Sequence, residues 1–278
     1  MIRSLHMPLN RFSRLAATLL VVATAPASAI TFGTVDGNDH PFVGSMVLSI
    51  PGEGVFQWCS GTLIAPQVFL TASHCTAPMD DYLARYPGST FYVTFDPVID
   101  STGPTNTLYT GTPHTNPLYG SGGTVDPHDV AVIVLDEAPP IAAAQLPPAG
   151  LLDDLKASHA LTSTRFTAVG YGTARDSMKK GWQGVLDNEQ RQRADQSFWS
   201  LTTAWINLTM LPTGSLDSGG TCYGDSGGPH FIHLDGVETT IVAATTITGD
   251  AQCKALDRDY RMDTPSARDF LGQFVDLP

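Results

Sequence analysis

From residue 42 to residue 248 the chain is a succession of short runs rich in Val, Ile, Thr and aromatic residues, cut apart by Gly and Pro. Residues 42–50, 61–70, 91–95, 130–135, 166–169 and 239–246 are the clearest of these runs. Branched and aromatic side chains fit a pleated surface, so such a chain folds as an all-β barrel or sandwich. A helical pattern stands only near the end, where Thr264 can cap, Pro265 opens the first turn, and Phe270, Leu271, Phe274 and Val275 form one apolar stripe. Between residues 138 and 150 four prolines (Pro139, Pro140, Pro147 and Pro148) stand among alanines and mark a linker. It divides residues 30–137 from residues 151–278. Segments 101–126 and 173–196 are polar, Gly-rich or charged and read as surface loops.

Residues 1–29 have the form of a secretory signal peptide. Arg3, Arg11 and Arg14 precede an apolar stretch over 15–25, and Ala27-Ser28-Ala29 is a small-residue cleavage site. The apolar stretch is too short to span a bilayer, so a soluble, exported protein is expected. Its removal takes away three Arg and no acid, leaving 12 basic residues against 27 acidic ones, a net charge near −15. A surface so acidic repels nucleic acid and anionic membranes. The four cysteines, Cys59, Cys75, Cys222 and Cys253, form an even set, which in an exported chain favours disulfides. Three pairings are open to them. A zinc site is the alternative, but no two of them have C-x-x-C spacing.

Gly224-Asp225-Ser226-Gly227-Gly228-Pro229 sets a serine in a Gly-rich turn. A serine hydroxyl is a weak nucleophile and needs a base, an orienting carboxylate and an oxyanion site. His74, in Leu70-Thr71-Ala72-Ser73-His74-Cys75, and Asp129, which leads into the apolar run 130–135, supply the first two. Taken singly, each residue has a bland account: a turn serine, a half-buried histidine, a strand-initiating acid. The chain order His, Asp, Ser distinguishes them from an α/β-hydrolase, whose acid and histidine follow the serine. Only His230 and His233 follow Ser226, within seven residues, and β-rich sequence succeeds it. Three residues apart on a strand, those two point to opposite faces and make a poor metal site. His40, His114, His128 and His159 read as structural, and Asn207-Leu208-Thr209 matches a glycosylation sequon.

These segments, with Gly61-Thr62-Leu63-Ile64-Ala65-Pro66 and Val169-Gly170-Tyr171-Gly172, resemble the chymotrypsin/trypsin-like serine protease family over most of the chain after residue 29. The resemblance implies two antiparallel six-stranded Greek-key barrels with a C-terminal helix, the catalytic groups meeting at a cleft. It implies His74, Asp129 and Ser226 as the catalytic residues and the N–H groups of Gly224 and Ser226 as the oxyanion hole. It also implies the pairings Cys59–Cys75 and Cys222–Cys253, worth roughly 3 kcal/mol apiece by loop entropy. Protein or peptide substrates follow, with protein inhibitors as further partners, no cofactor or metal, and a monomer. A non-catalytic binding protein on the same fold and a secreted esterase are the rival readings.

Family members are cut to expose an Ile-led end whose ammonium pairs with the acid before the nucleophile. Ile30 and Asp225 occupy those places here, so signal peptidase itself would create the active end. The floor of the primary specificity pocket falls on Gly220, where trypsins have an aspartate. Thr221, Tyr223, Thr246, Ile247 and Thr248 are the expected walls. Burying a cation with no carboxylate partner costs several kcal/mol, so cleavage after neutral or hydrophobic residues is expected. An acid entering from the far side, Asp250 or Asp257, would restore basic specificity.

Overall fold

The computed structural model describes residues 30–175, 185–186, 189–210, 219–254 and 256–278, with backbone alone for Val185, Leu186 and Met210. The signal segment 1–29 and part of segment 173–196 lie outside the described residues. The strands are β1 (Thr34–Val35), β2 (Val43–Ile50), β3 (Gly54–Ala65), β4 (Val68–Thr71), β5 (Thr90–Thr94), β6 (Gly111–Thr115), β7 (Ala131–Leu135) and β8 (Arg165–Gly170). They continue as β9 (Ala174–Arg175), β10 (Val185–Leu186), β11 (Gln192–Leu201), β12 (Trp205–Met210), β13 (Pro229–Leu234), β14 (Val237–Gly249) and β15 (Leu256–Arg261). Among the described residues four short α-helices join them: α1 (Ser73–Thr76), α2 (Met79–Arg85), α3 (Leu151–Ala157) and α4 (Pro265–Leu271).

The fold is all-β, with two antiparallel six-stranded units. In the second, β8-β11-β12-β15-β14-β13 closes on itself because β8 pairs with both β11 and β13. Closure leaves no free edge in that unit. In the first, the order β5-β2-β3-β4-β7-β6 leaves β5 and β6 at the edges, and a bridge between Val93 and Tyr109 ties that end together. The inward residues are those the apolar runs supply. Met46, Leu63, Phe69, Val93 and Val132 fill the first unit, and Phe166, Ile206, Leu208, Ile232 and Ala243 the second.

Several expectations need correction. Helix occurs at α1, α2 and α3 as well as at the end, in pieces of four to seven residues that bury few apolar side chains each. The capping expected of Thr264 is present, its Oγ1 accepting the Ala267 N–H at 3.3 Å. Segment 101–126 contains strand β6, and 192–196 is the start of β11 rather than surface loop, with Gln192 and Gln196 buried. The proline-rich segment 138–150 is not free of the barrels. The Ala144 N–H donates to Leu63 O of the first unit, and the Gln145 N–H to Thr240 O of the second.

The N-terminal segment crosses between the units. Strand β1 pairs with β11 of the second, after which Asp36 meets Arg191 and His40. Arg191 is fully buried and satisfied: it donates to Asp36 Oδ2 (2.8 Å), the carbonyls of Gly37, Val43 and Phe95, Asn38 Oδ1 and the Tyr171 hydroxyl. His40 is held between Asp36 and Glu238. Burial alone would lower its pKa, but hydrogen bonds and charge from the two carboxylates outweigh that and raise it to about 9.

A raised folded-state pKa stabilises fully below the unfolded value and ceases to do so as pH passes the folded one. The His40 contribution should therefore be complete below pH 6.5 and disappear as pH rises through about 9. Urea unfolding across that window should show a loss of stability that is missing from His40→Gln.

Candidate active site

His74 sits on α1, immediately after β4, and Asp129 immediately before β7, and these two strands pair from Val68↔Val134 to Thr71↔Ala131. The ladder thus sets the two residues side by side. One Asp129 oxygen accepts the backbone N–H of His74 at 2.9 Å, and the other lies 2.9 Å from His74 Nδ1. Both faces of the carboxylate are spent on one residue, so the imidazole can neither flip nor slide. With Nδ1–H donating to Asp129, the lone pair is left on Nε2. Asp129 is buried, while the His74 side chain keeps 28% of its exposure. Ser73 fastens the same corner, its Oγ donating to Val130 O at 2.8 Å.

Ser226 arrives from the other unit, in the turn before β13. Its carbonyl accepts the Ser60 N–H at 2.9 Å, which pins the turn to β3. Ser60 Oγ donates to Gly224 O at 3.0 Å and accepts the Tyr171 N–H at 3.1 Å. Gln57 Nε2 adds a second bond to Gly224 O at 2.8 Å. Cys59 and Cys75 are joined, as are Cys222 and Cys253. The first bridge ties β3 to the His74 helix, and Cys75 Sγ lies 3.8 Å from Ser226 O, so histidine and serine share one neighbourhood. No hydrogen bond joins Ser226 Oγ to His74 Nε2; such bonds commonly tighten only when substrate is bound. His74, Cys59 and Cys75 crowd together in a way that could suggest a metal site, but both sulfurs are committed to the disulfide.

The backbone at Gly224 explains the glycine there. Its φ is +95°, and a Cβ would collide with Gln57 Oε1. Its N–H and that of Ser226 donate to no acceptor among the described residues, while the neighbouring N–H groups of Asp225, Gly227 and Gly228 all do. Two adjacent, unspent donors beside a serine can bind a developing oxyanion.

Asp225 is buried beneath this turn. One oxygen accepts the Gly172 N–H at 2.7 Å and the other the Cys222 N–H at 2.8 Å. Burial pushes its pKa up, those two N–H groups pull it back, and the charge of Asp257 adds to the rise, leaving it at about 7. Ile30 is fully buried against Ala168 and Ala194, and Thr31 exchanges both backbone hydrogen bonds with Gly220. Its nitrogen here is a peptide amide, and no bond joins it to Asp225.

A cavity of about 220 Å³ opens beside Ser226, lined among others by Thr221, Tyr223, Thr246, Ile247 and Thr248. Gly220, engaged with Thr31, is not among its lining residues. Tyr223 stands 58% exposed at its edge, the hydroxyl donating to Ala251 O at 3.2 Å. Wider hollows elsewhere on the surface are not lined by His74, Asp129 or Ser226. Sequence reasoning gave no role to His230 or Asp259, which form a buried pair at 2.9 Å behind Thr246. No linear motif marks that pair, because β13 and β15 meet only through β14.

A family model described as Trypsin matches residues 32–264. The chain belongs to the trypsin family. Bovine proproteinase E is 28% identical over 215 residues, covering 73% of this chain and 79% of that protein. A trypsin of Saccharopolyspora erythraea is 30% identical over 207 residues, covering 72% and 81%. Human chymotrypsin-like elastase family member 3B is 27% identical over 238 residues, covering 78% and 80%. This trypsin-family chain is accordingly a serine-type endopeptidase, and its substrates are proteins or peptides. No helix among the described residues is long and apolar enough to cross a membrane.

In this trypsin-family turn, Gly224→Ala would force the backbone out of φ +95° and turn a free N–H away. Turnover of a peptide substrate should fall about 100- to 1000-fold, with circular dichroism unchanged.

Proposed function

We propose that the chain is an exported endopeptidase in which His74, Asp129 and Ser226 act as one catalytic unit. The carrying observation is the doubly anchored His74–Asp129 pair, set in the same neighbourhood as a serine with two unspent N–H groups beside it. Ser226 Oγ attacks the scissile carbonyl, and His74 Nε2 takes the proton and returns it to the leaving amine. Asp129 holds the tautomer and stabilises the imidazolium. The Gly224 and Ser226 N–H groups bind the oxyanion, and water then releases the acyl group from Ser226. Gly220 brings no charge to the pocket, and Thr221, Thr246, Ile247 and Thr248 take a neutral or hydrophobic P1 side chain. The protein acts as a monomer, and inhibitor proteins that present a loop to the cleft block it.

Ser226→Ala and His74→Ala should each fold and lose several orders of magnitude in turnover, since such residues fail as a unit. A fluorophosphonate should label Ser226 in the native protein and not in Ser226→Ala. Near-native activity in either variant would remove the assignment.

Export and activation are one event in this reading. Cleavage after Ala29 frees the Ile30 ammonium, and each Asp225 oxygen, having accepted one N–H, can accept another donor. The new charge would lower the Asp225 pKa from about 7 and hold the nucleophile turn in place. Mass analysis of the secreted protein should find Ile30 first. One extra residue before it should cut activity by at least about tenfold, a loss of about 1.4 kcal/mol in transition-state stabilisation.

A further inference from the structure

Four consecutive carbonyls run through the turn that carries Ser226, and each has a donor. Tyr223 O accepts the Thr173 N–H at 2.7 Å, Asp225 O the Gly228 N–H at 2.8 Å, and Ser226 O the Ser60 N–H at 2.9 Å. Gly224 O is held instead by two side chains, Gln57 Nε2 at 2.8 Å and Ser60 Oγ at 3.0 Å. In a trans peptide the N–H points opposite to the C=O of the same plane. Holding Tyr223 O and Asp225 O therefore turns the N–H groups of Gly224 and Ser226 the other way, and these are the two unspent donors.

The glycine at 224 permits φ +95° but does not choose it, because both of its dihedrals are soft. The plane between Gly224 and Asp225 lies between the two donors. Freeing its carbonyl would let them swing apart, so their common aim depends on what grips Gly224 O.

That grip comes from β3, in the first unit. Gln57 and Ser60 are three residues apart and on a regular strand would face opposite sides. A bulge brings them to one carbonyl: Met46 pairs with Cys59 and Val47 with Gln57, leaving Trp58 as the extra residue. The Trp58 indole N–H donates to Cys75 O at 2.9 Å, which fastens the bulge to the His74 helix. Ser60 Oγ accepts the Tyr171 N–H at 3.1 Å and keeps its own proton for Gly224 O. A Cβ on residue 224 would collide with Gln57 Oε1, so the side-chain amide reaches this carbonyl only past a glycine.

We propose that Gln57 and Ser60 are positioning residues for the oxyanion site: together they hold the Gly224 carbonyl and so aim the Gly224 and Ser226 N–H groups at one oxygen. The inference rests on Ser226 being the nucleophile and on those two N–H groups being the oxyanion donors. The second unit carries the donors, and the first sets their direction. Their aim matters most when the bound oxygen is charged, so the effect falls on the tetrahedral intermediate rather than on bound substrate.

The test uses the secreted protein with Ser60→Ala, Gln57→Met and the two combined; Ser60→Ala keeps the N–H on Ser226 O. The substrate is the peptide p-nitroanilide that the native protein cleaves fastest in a set varied at P1, and turnover is counted per Ser226 after exhaustive fluorophosphonate labelling. kcat should fall about three- to tenfold in each single variant and about 100- to 1000-fold in the double, with KM nearly unchanged. Gln57→Glu keeps the shape but, ionised, offers no donor, and should lose as much as Gln57→Met. A peptide aldehyde, whose hemiacetal with Ser226 presents an oxygen to the two N–H groups, should lose affinity by the same factor as kcat/KM, while the matching peptide alcohol binds as before. Should the double variant fail to fold, the single variants and Gln57→Glu make the same comparison. An unaltered kcat per labelled Ser226, or a loss confined to KM or to thermal stability, would overturn the proposal and leave the catalytic reading intact. Absence of both labelling and hydrolysis in the native protein would overturn the two together.

Discussion

A base carried by one barrel and a nucleophile carried by the other can cooperate only if the seam between them does not move. Two contacts hold it. Ser60, on β3 of the first unit, uses its N–H on Ser226 O and its hydroxyl on Gly224 O and Tyr171 N, so that the Ser226 turn is registered against the strand disulfide-linked to the His74 helix. Deeper in the seam, Arg191 gathers carbonyls from β2 and the end of β5, the Tyr171 hydroxyl and Asp36 into one buried cluster. A guanidinium has five donors in a fixed plane, and few other groups could satisfy acceptors from three chain segments at once. Loss of either partner would strand a buried charge, at a cost of roughly 3–5 kcal/mol.

Polar residues take over where apolar packing ends. The interior of the second barrel contains Gln192, Gln196, His230, Asp257 and Asp259, all buried. Such groups weaken a core unless they answer one another. Here Gln196 answers Asp257, and His230 answers Asp259 and Thr246. The end of the second barrel nearest Ser226 is therefore held by charges and hydrogen bonds, and the far end by Phe166, Ile206 and Ile232.

The parts of this architecture legible in the sequence are those written in consecutive residues. The runs around Val43, Val132 and Phe166 alternate or cluster as strands must, and Thr264-Pro265 announces α4. Helices α2 and α3 escaped because seven residues make two turns, and one buried side chain in each, Met79 or Leu152, makes no stripe. Strand β6 escaped because Gly111, Pro113 and His114 do not look like sheet, and a proline is tolerated there only because β6 is an edge. Strand β11 hid for the opposite reason: its interior side chains are polar because their partners are polar, and those partners lie some 60 residues away. At the site, Ser226, His74 and Asp129 could be singled out from local motifs, whereas His230 and Asp259 acquire meaning only once β13, β14 and β15 are laid side by side.

Helix α4 belongs to the last part of the chain but works on the first half. Ser266 lies 2.8 Å from Nδ1 of His128, a residue held at φ +53° directly before Asp129, and Tyr260 reaches Asp126 at 2.6 Å. Phe274 packs on His114. The stretch that delivers Asp129 is thus braced by groups that leave the ribosome some 130 residues later. Until they arrive, a growing chain has its histidine and its acid but not the clasp that sets them, and a hydrolase of proteins spends its own synthesis unfinished at the very corner where it would do harm.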